Sequence, residues 1–462
     1  MLKNVTISCS RCAIFENEIS DLRSLVKSLE DEISLLKGSR SSRTSSTAPS
    51  HDIGRSNRVS LVTPSGKKPG GQPGHVGATL SLSDTPDEII DHHPHSCEHC
   101  GTDLQAIEST YFTRRQIADI PEPVFLEYIE HRSHVKSCPQ CLHKNRGVFP
   151  DRLRAPVQYG PRIESMTGYL SVYQYMPYDR ISKLFNDFYG LQISTGTIDT
   201  LLNNLSEKAS PDYEKIRDMI ITSPVVGSDE TGCRVDGKKH WFHVWQTPTL
   251  TFIVAFLSRG YAAIEKNFVD GFTQSVYVSD CWASQLKTKA KAHQLCMAHL
   301  LRELTNFSEK LGRPWSLQMK ELFKEAIEFK KTMTQENYIS PPEEVVKFNT
   351  QLDKLLETDF SEFHSKEQSF IKRLIKHRQS IFTFLSHSYV PPDNNASERA
   401  IRNVKVKMKV SGGFRNKEGK GAERYAKIRS VVDTTIKNGK NVYAAMLALA
   451  NSKSKLLVSH VN

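Results

Sequence analysis

Long apolar runs are missing from this 462-residue chain, and stretches such as FIVAFL at 252–257 fall far short of the ~20 residues a bilayer requires. The first fifteen residues hold no apolar segment of signal-peptide length. Both absences argue against a membrane role, and the expected location is the cytosol. A Gly-x-x-x-x-Gly-Lys-Ser/Thr loop is lacking too, which argues against an ATP-driven mechanism. Cysteines number only nine, an odd count, and six of them stand in C-x-x-C pairs; in a reducing compartment this favours metal over disulfides. Acidic residues become scarce in one place. Between 399 and 429, eleven Lys and Arg face only Glu418 and Glu423, a local +9 in a chain whose formal charge is +11. Basicity so concentrated predicts a polyanion-binding surface. With 38% hydrophobic and 24% charged residues, the rest is ordinary soluble protein of two to four domains.

Residues 1–37 read as a coiled-coil helix. Ile19, Leu22, Val26, Leu29, Ile33 and Leu36 alternate steps of three and four, the a/d seam of a self-associating helix, although a helix docked on its own protein gives the same pattern. Cys9 and Cys12 have no second pair nearby and read as plain thiols. Residues 38–90 form a basic linker rich in Ser, Arg and Thr, ending in KKPGGQPGHVG at 67–77. There glycine and proline forbid regular structure and leave Lys67, Lys68 and His75 for a phosphate chain. In the next domain, 91–150, Cys97-x-x-Cys100 and Cys138-x-x-Cys141 are two thiolate knuckles, the pattern of a four-cysteine Zn2+ site, with strands expected between them. Residues 151–222 read as helical. A helix at 181–189, Gly190, and a second helix from Ser194 have helix-turn-helix spacing, which a purely structural hairpin shares.

From 223 the periodicity changes to that of strands. Segments at 225–229 and 233–235, an Asp236-Gly237 turn, and segments at 241–246 and 251–257 predict three antiparallel strands. A helix at 261–268 and a fourth strand at 275–279 follow. This order places Asp229 in the first strand and Asp280 at the end of the fourth, and those two strands are neighbours in a ribonuclease-H-like sheet. The catalytic core so predicted runs to 412, with a helical insertion at about 301–385 and basic C-terminal helices at 413–462. Taken singly, each aspartate also fits a strand-end or turn role.

A helix should begin near Asn395, after Pro391 and Pro392, and carry Glu398 in its first turn. Asn395-x-x-Glu398 has the spacing of a capping box. Together with Asp229 and Asp280, Glu398 would instead complete the all-oxygen ligand set that Mg2+ (or Mn2+) prefers. Arg399, Arg402, Lys405, Lys407, Lys409 and Arg415 follow as expected contacts to a phosphate backbone. His293 and the Cys296-x-x-His299 pair lie at the entry to the next helix; a buried Cys and a His near the reacting phosphate are expected there, in preference to a second metal site.

These residues carry a family resemblance. GQPGH at 71–75, the two knuckles, Asp229-Glu-Thr with VDGK at 235–238, Ser279-Asp280, Cys296-x-x-His299 with Arg302, and Asp393-Asn-Asn-x-x-Glu398-Arg make the chain resemble transposases of the insertion sequence 66 family, over about 16–449. Cys281-Trp282 and the Leu-Leu-Arg after His299 depart from the common pattern. The resemblance implies a multidomain α+β protein and a DDE enzyme with Asp229, Asp280 and Glu398 as the triad. It also implies a nucleoid-associated bacterial location. The expected partners are double-stranded DNA, both terminal repeats and target, further copies of the chain, and small helper proteins of the same element. Two rival readings are an inactive, domesticated transposase or zinc-ribbon regulator, and a structure-specific nuclease on the same fold.

Overall fold

The computed structural model describes residues 10–36, 82–109, 113–118, 126–150, 153, 155–414 and 420–451. The GQPGH segment with Lys67, Lys68 and His75, and also Cys9 and Arg415, lie outside the described residues. In chain order the elements are α1 (Ser10–Leu36), β1 (Val135–Ser137), β2 (Lys144–Arg146), α2 (Pro161–Gly168), α3 (Tyr178–Tyr189) and α4 (Thr195–Ile221). Then come β3 (Val225–Val235), β4 (Lys238–Gln246), β5 (Thr251–Phe256), α5 (Ala262–Asn267), β6 (Phe272–Ser279), α6 (Ala283–Leu286) and β7 (Ala290–Leu295). Last are α7 (Met297–Leu311), α8 (Pro314–Thr332), α9 (Glu336–Ile339), α10 (Glu343–Leu356), α11 (Ser365–Lys376), α12 (Asn395–Ser411), α13 (Lys420–Lys437) and α14 (Val442–Ala450).

β3 to β7 form one mixed sheet in the order β5-β4-β3-β6-β7. β3–β4 and β4–β5 pair antiparallel, β3–β6 and β6–β7 parallel. Asp236 (φ 48°) and Gly237 (φ 77°) both take the left-handed conformation that a two-residue hairpin of matching twist requires, and Asp-Gly is well suited to it. The segments read separately at 225–229 and 233–235 are one continuous strand. β7 was not anticipated. It is an edge strand, and its one deeply buried polar residue, Gln294, is satisfied by the Leu295 and Ile381 carbonyls and by the Phe384 N–H.

Each face of the sheet has its own core. On one, Val226, Phe242, Val244 and Tyr277 pack with side chains of α3, α4, α12, α13 and α14. Trp245, Phe252, Phe268 and Phe272 interlock there, with neighbouring ring centroids 4.7–6.1 Å apart. The other core joins Val225, Val276, Val278 and Leu295 to α7, α8, α10 and α11, so the helical insertion roofs the opposite face. The helices before β3 and those after α12 thus share one core with the sheet.

The helical hairpin forms as expected. Gly190 ends α3 in the left-handed conformation (φ 62°), and the Ser194 hydroxyl accepts the Thr197 N–H at 3.0 Å to cap α4. α4 runs on to Ile221, far beyond the second helix of a short motif. In the cysteine region the described parts of 110–134 carry no strand; a single antiparallel bridge, Ser96 with Asp103, brackets the first knuckle, and the β1–β2 hairpin brackets the second. Along α1, Ile19, Leu22, Val26, Leu29 and Ile33 all remain exposed.

Candidate active site

Three elements bring the predicted acids together. Asp229 sits inside β3, Asp280 directly follows β6, and β3 and β6 are parallel neighbours. Glu398 comes from the first turn of α12, whose start is fastened to the sheet. The Asn394 side-chain amide donates to the Ser228 carbonyl at 2.5 Å, and the Asn394 N–H donates to Cys296 Sγ at 3.2 Å. The Met297 N–H donates to the Pro392 carbonyl at 3.0 Å, and Gln246 Nε2 donates to Ser397 Oγ at 3.3 Å. Gly227 makes this approach possible: a Cβ there would stand 2.6 Å from Gln246 Nε2 and from Ser397 Oγ. Residues 391–398 are thereby clamped against β3 after the long excursion through the insertion.

The capping-box reading of Glu398 does not hold. The Asn395 N–H is accepted by Asp393 Oδ1 at 3.0 Å, and Glu398 turns away. Its Oε1 accepts from Arg302 at 3.1 Å and stands 3.9 Å from His299 Nδ1, while Arg402 approaches Oε2 at 3.6 Å. His299 Nδ1 in turn lies 3.0 Å from Asp280 Oδ1. One imidazole is therefore flanked by two of the three acids. Burial opposes a charge on His299, but Asp280 and Cys296 outweigh it and raise its pKa.

Asp229 carries the electrostatic signature of the site. Burial first, then the neighbouring charges of Asp280, Glu230 and Glu398, push its pKa up to about 7, against one backbone hydrogen bond from Glu230 that lowers it. Anions gathered at such cost fit the needs of a hard cation, and nothing but carboxylate oxygen is offered by these three side chains. They do not close on a single point, however. Among the described residues, the three metal-binding groups whose ligand atoms lie within 4.8 Å of one another are Asp280, Cys296 and His299.

Glu230, next to Asp229, was passed over in the sequence. Its carboxylate is buried and already committed, to Arg259 at 2.7 Å and to Gln285 Nε2 at 2.7 Å. The Arg259 guanidinium lies over the Trp282 ring, 4.0 Å from its centroid, so the departure at Cys281-Trp282 has a structural use. Asn394, Ser397, Gln246 and Gly227 were also missed, because their importance comes from contacts between segments distant in sequence.

The basic row divides in two. Arg399, Arg402, Lys405 and Lys409 are exposed along α12 and continue outward from Glu398. Lys407 does not belong with them: it is buried, with Nζ donating to the Ser171 and Met176 carbonyls at 3.0 and 3.4 Å, which corrects its assignment as a DNA contact. Arg424 and Arg429 are inward too, paired with Asp199 and Asp433. The knuckles form singly. The Gly101 N–H bonds back to the Cys97 carbonyl and the Leu142 N–H to the Cys138 carbonyl, both at 2.9 Å, with Gly101 and Leu142 left-handed. The two pairs are not brought together as one four-sulfur group among the described residues.

Residues 156–422 match the family model described as Transposase IS66 family, more than half of the chain. The class is thus that of transposases, enzymes that cut and rejoin DNA. The chain belongs to the IS66 transposase family. No curated protein matches it. Among the described residues no helix is long and apolar enough to cross a membrane.

Proposed function

We propose that the protein is a DDE transposase that cleaves the ends of its element and joins the freed 3′-hydroxyls to target DNA. The observation that carries this reading is the convergence of Asp229, Asp280 and Glu398 where β6 ends beside β3, with the exposed cations of α12 continuing from Glu398. The strand order β5-β4-β3-β6-β7, with β4 alone antiparallel to its neighbours, supports a ribonuclease-H-like core. Asp229, Asp280 and Glu398 would hold Mg2+ or Mn2+, and a two-ion site supplies polarisation of the phosphodiester and activation of the attacking oxygen. The chain's own residues do the rest. Arg399, Arg402, Lys405 and Lys409 hold the DNA backbone, and Arg302 neutralises and orients Glu398 until the site is loaded.

A strand-transfer assay with a labelled element end tests the reading. Metal-dependent cleavage followed by joining is expected. Cutting without joining would instead support a structure-specific nuclease, and binding without cutting a regulator.

Cys97, Cys100, Cys138 and Cys141 are proposed to share one Zn2+, a reading supported by the two knuckle turns. The exposed stripe of α1 supports self-association of the chain, with helper proteins of the same element as further partners. Deleting residues up to Gly38 should lower the number of chains per particle in light scattering. An unchanged number would assign α1 to internal docking.

A further inference from the structure

We propose that Asp280, Cys296 and His299 form a zinc-class metal site of their own, distinct from the three-carboxylate set and joined to it through Asp280. Their ligand atoms already lie within 4.8 Å of one another. Tetrahedral zinc with S, N and O ligands needs edges of roughly 3.3–3.7 Å, so small side-chain rotations close the site.

Two of the three atoms face each other. Asp280 Oδ1 and His299 Nδ1 are sequestered from solvent, and neither makes a hydrogen bond of acceptable geometry, although they stand 3.0 Å apart. A shared ion would engage both atoms at once in place of their contact with each other. The third atom is prepared as well. Cys296 is fully buried at the N-cap of α7, and its Sγ accepts the Asn394 N–H at 3.2 Å. A thiolate and an imidazole select zinc over magnesium, whereas the carboxylates select the reverse.

Geometry also shows how both sites coexist. Asp280 has two oxygens, and the ion at Cys296 and His299 would take Oδ1, leaving Oδ2 for the catalytic edge. Three protein ligands leave a fourth position, and Glu398 Oε1 stands on that side, 3.9 Å from His299 Nδ1. Such an ion would tie the first turn of α7, where the insertion begins, to the end of β6 and would fix the orientation of Asp280.

The test uses the full chain carrying Cys97→Ser and Cys138→Ser, so that knuckle zinc does not contribute. About one zinc per chain should remain by elemental analysis. Replacement by Co2+ should give tetrahedral ligand-field bands and a thiolate-to-cobalt charge-transfer band. Cys296→Ser should abolish both the zinc and that band. If Cys296→Ser fails to fold, His299→Gln, at a position 32% exposed, should likewise lose the zinc and shift the spectrum. A folded knuckle-free chain with no zinc and no cobalt–thiolate band overturns the proposal, as does a band that survives Cys296→Ser. The knuckles are judged separately, by the zinc lost between wild type and the knuckle-free chain, and the triad by DNA joining.

Discussion

Glu398→Gln should leave the protein folded and bound to element-end DNA while lowering metal-dependent cleavage and joining by roughly three orders of magnitude or more. Folding survives because α12 does not need this carboxylate: Asp393 accepts the Asn395 N–H, and Asn394 fastens the turn to β3. Glutamine can still accept from Arg302, so that contact persists in neutral form. DNA binding survives because Arg399, Arg402, Lys405 and Lys409 are exposed and untouched. What disappears is the negative charge a hard cation requires. Filter binding and a strand-transfer gel, run on one preparation, separate the two effects. Adding Asp280→Asn to Glu398→Gln should cost little more, since either loss disables the same step. Joining at near wild-type rate by Glu398→Gln would remove Glu398 from the site. Asp393, the nearest replacement, has one oxygen already committed to capping α12.

How much of this was visible in the sequence depended on whether the signal was local. Four of the five sheet strands were legible because β-branched and aromatic runs are bounded by turn residues, and Asp236-Gly237 fixed the hairpin. β7 was hidden because AKAHQL lacks that signature, and two of the three partners that satisfy Gln294 in the core lie some ninety residues away. The basic row misled for a related reason. Charge was counted along the chain, whereas a helix sorts it by face. Ala400, Val404 and Lys407 fall at i, i+4 and i+7, the apolar stripe of α12, so spacing alone could have marked Lys407 as inward. Likewise, the Asn395-x-x-Glu398 spacing is real but does not say which way the carboxylate turns; Arg302, from α7, decides that. At the knuckles, the cysteine spacing announced the two turns, while the meeting of the pairs depends on chain between them.

Asp229→Asn should make the metal-free protein more stable at about pH 8 even as it abolishes DNA joining. In the folded chain Asp229 ionises near 7 instead of at its ordinary 3.8, because burial and then the charge of Asp280 resist a further anion. The folded state therefore keeps a proton that the unfolded state releases between those two values. Stability of the wild type in chelator must then fall as pH rises from about 4 to about 7, and the loss is complete above that window. Asparagine has no charge to suppress, so the variant lacks this slope. At pH 8 the difference should be on the order of 2–4 kcal/mol in favour of Asp229→Asn, shrinking towards zero near pH 4. Mg2+ should then raise the melting temperature of the wild type at pH 8 but leave the variant unmoved, because binding to the ionised acids offsets their repulsion. At limiting Mg2+, joining by the wild type should increase as pH rises through 7. Thermal denaturation with chelator and with Mg2+, across pH 4 to 8, checks all of this. Parallel stability curves for the two proteins would show that Asp229 is not held uncharged by its neighbours and would take away the electrostatic argument for a cation where β6 ends beside β3.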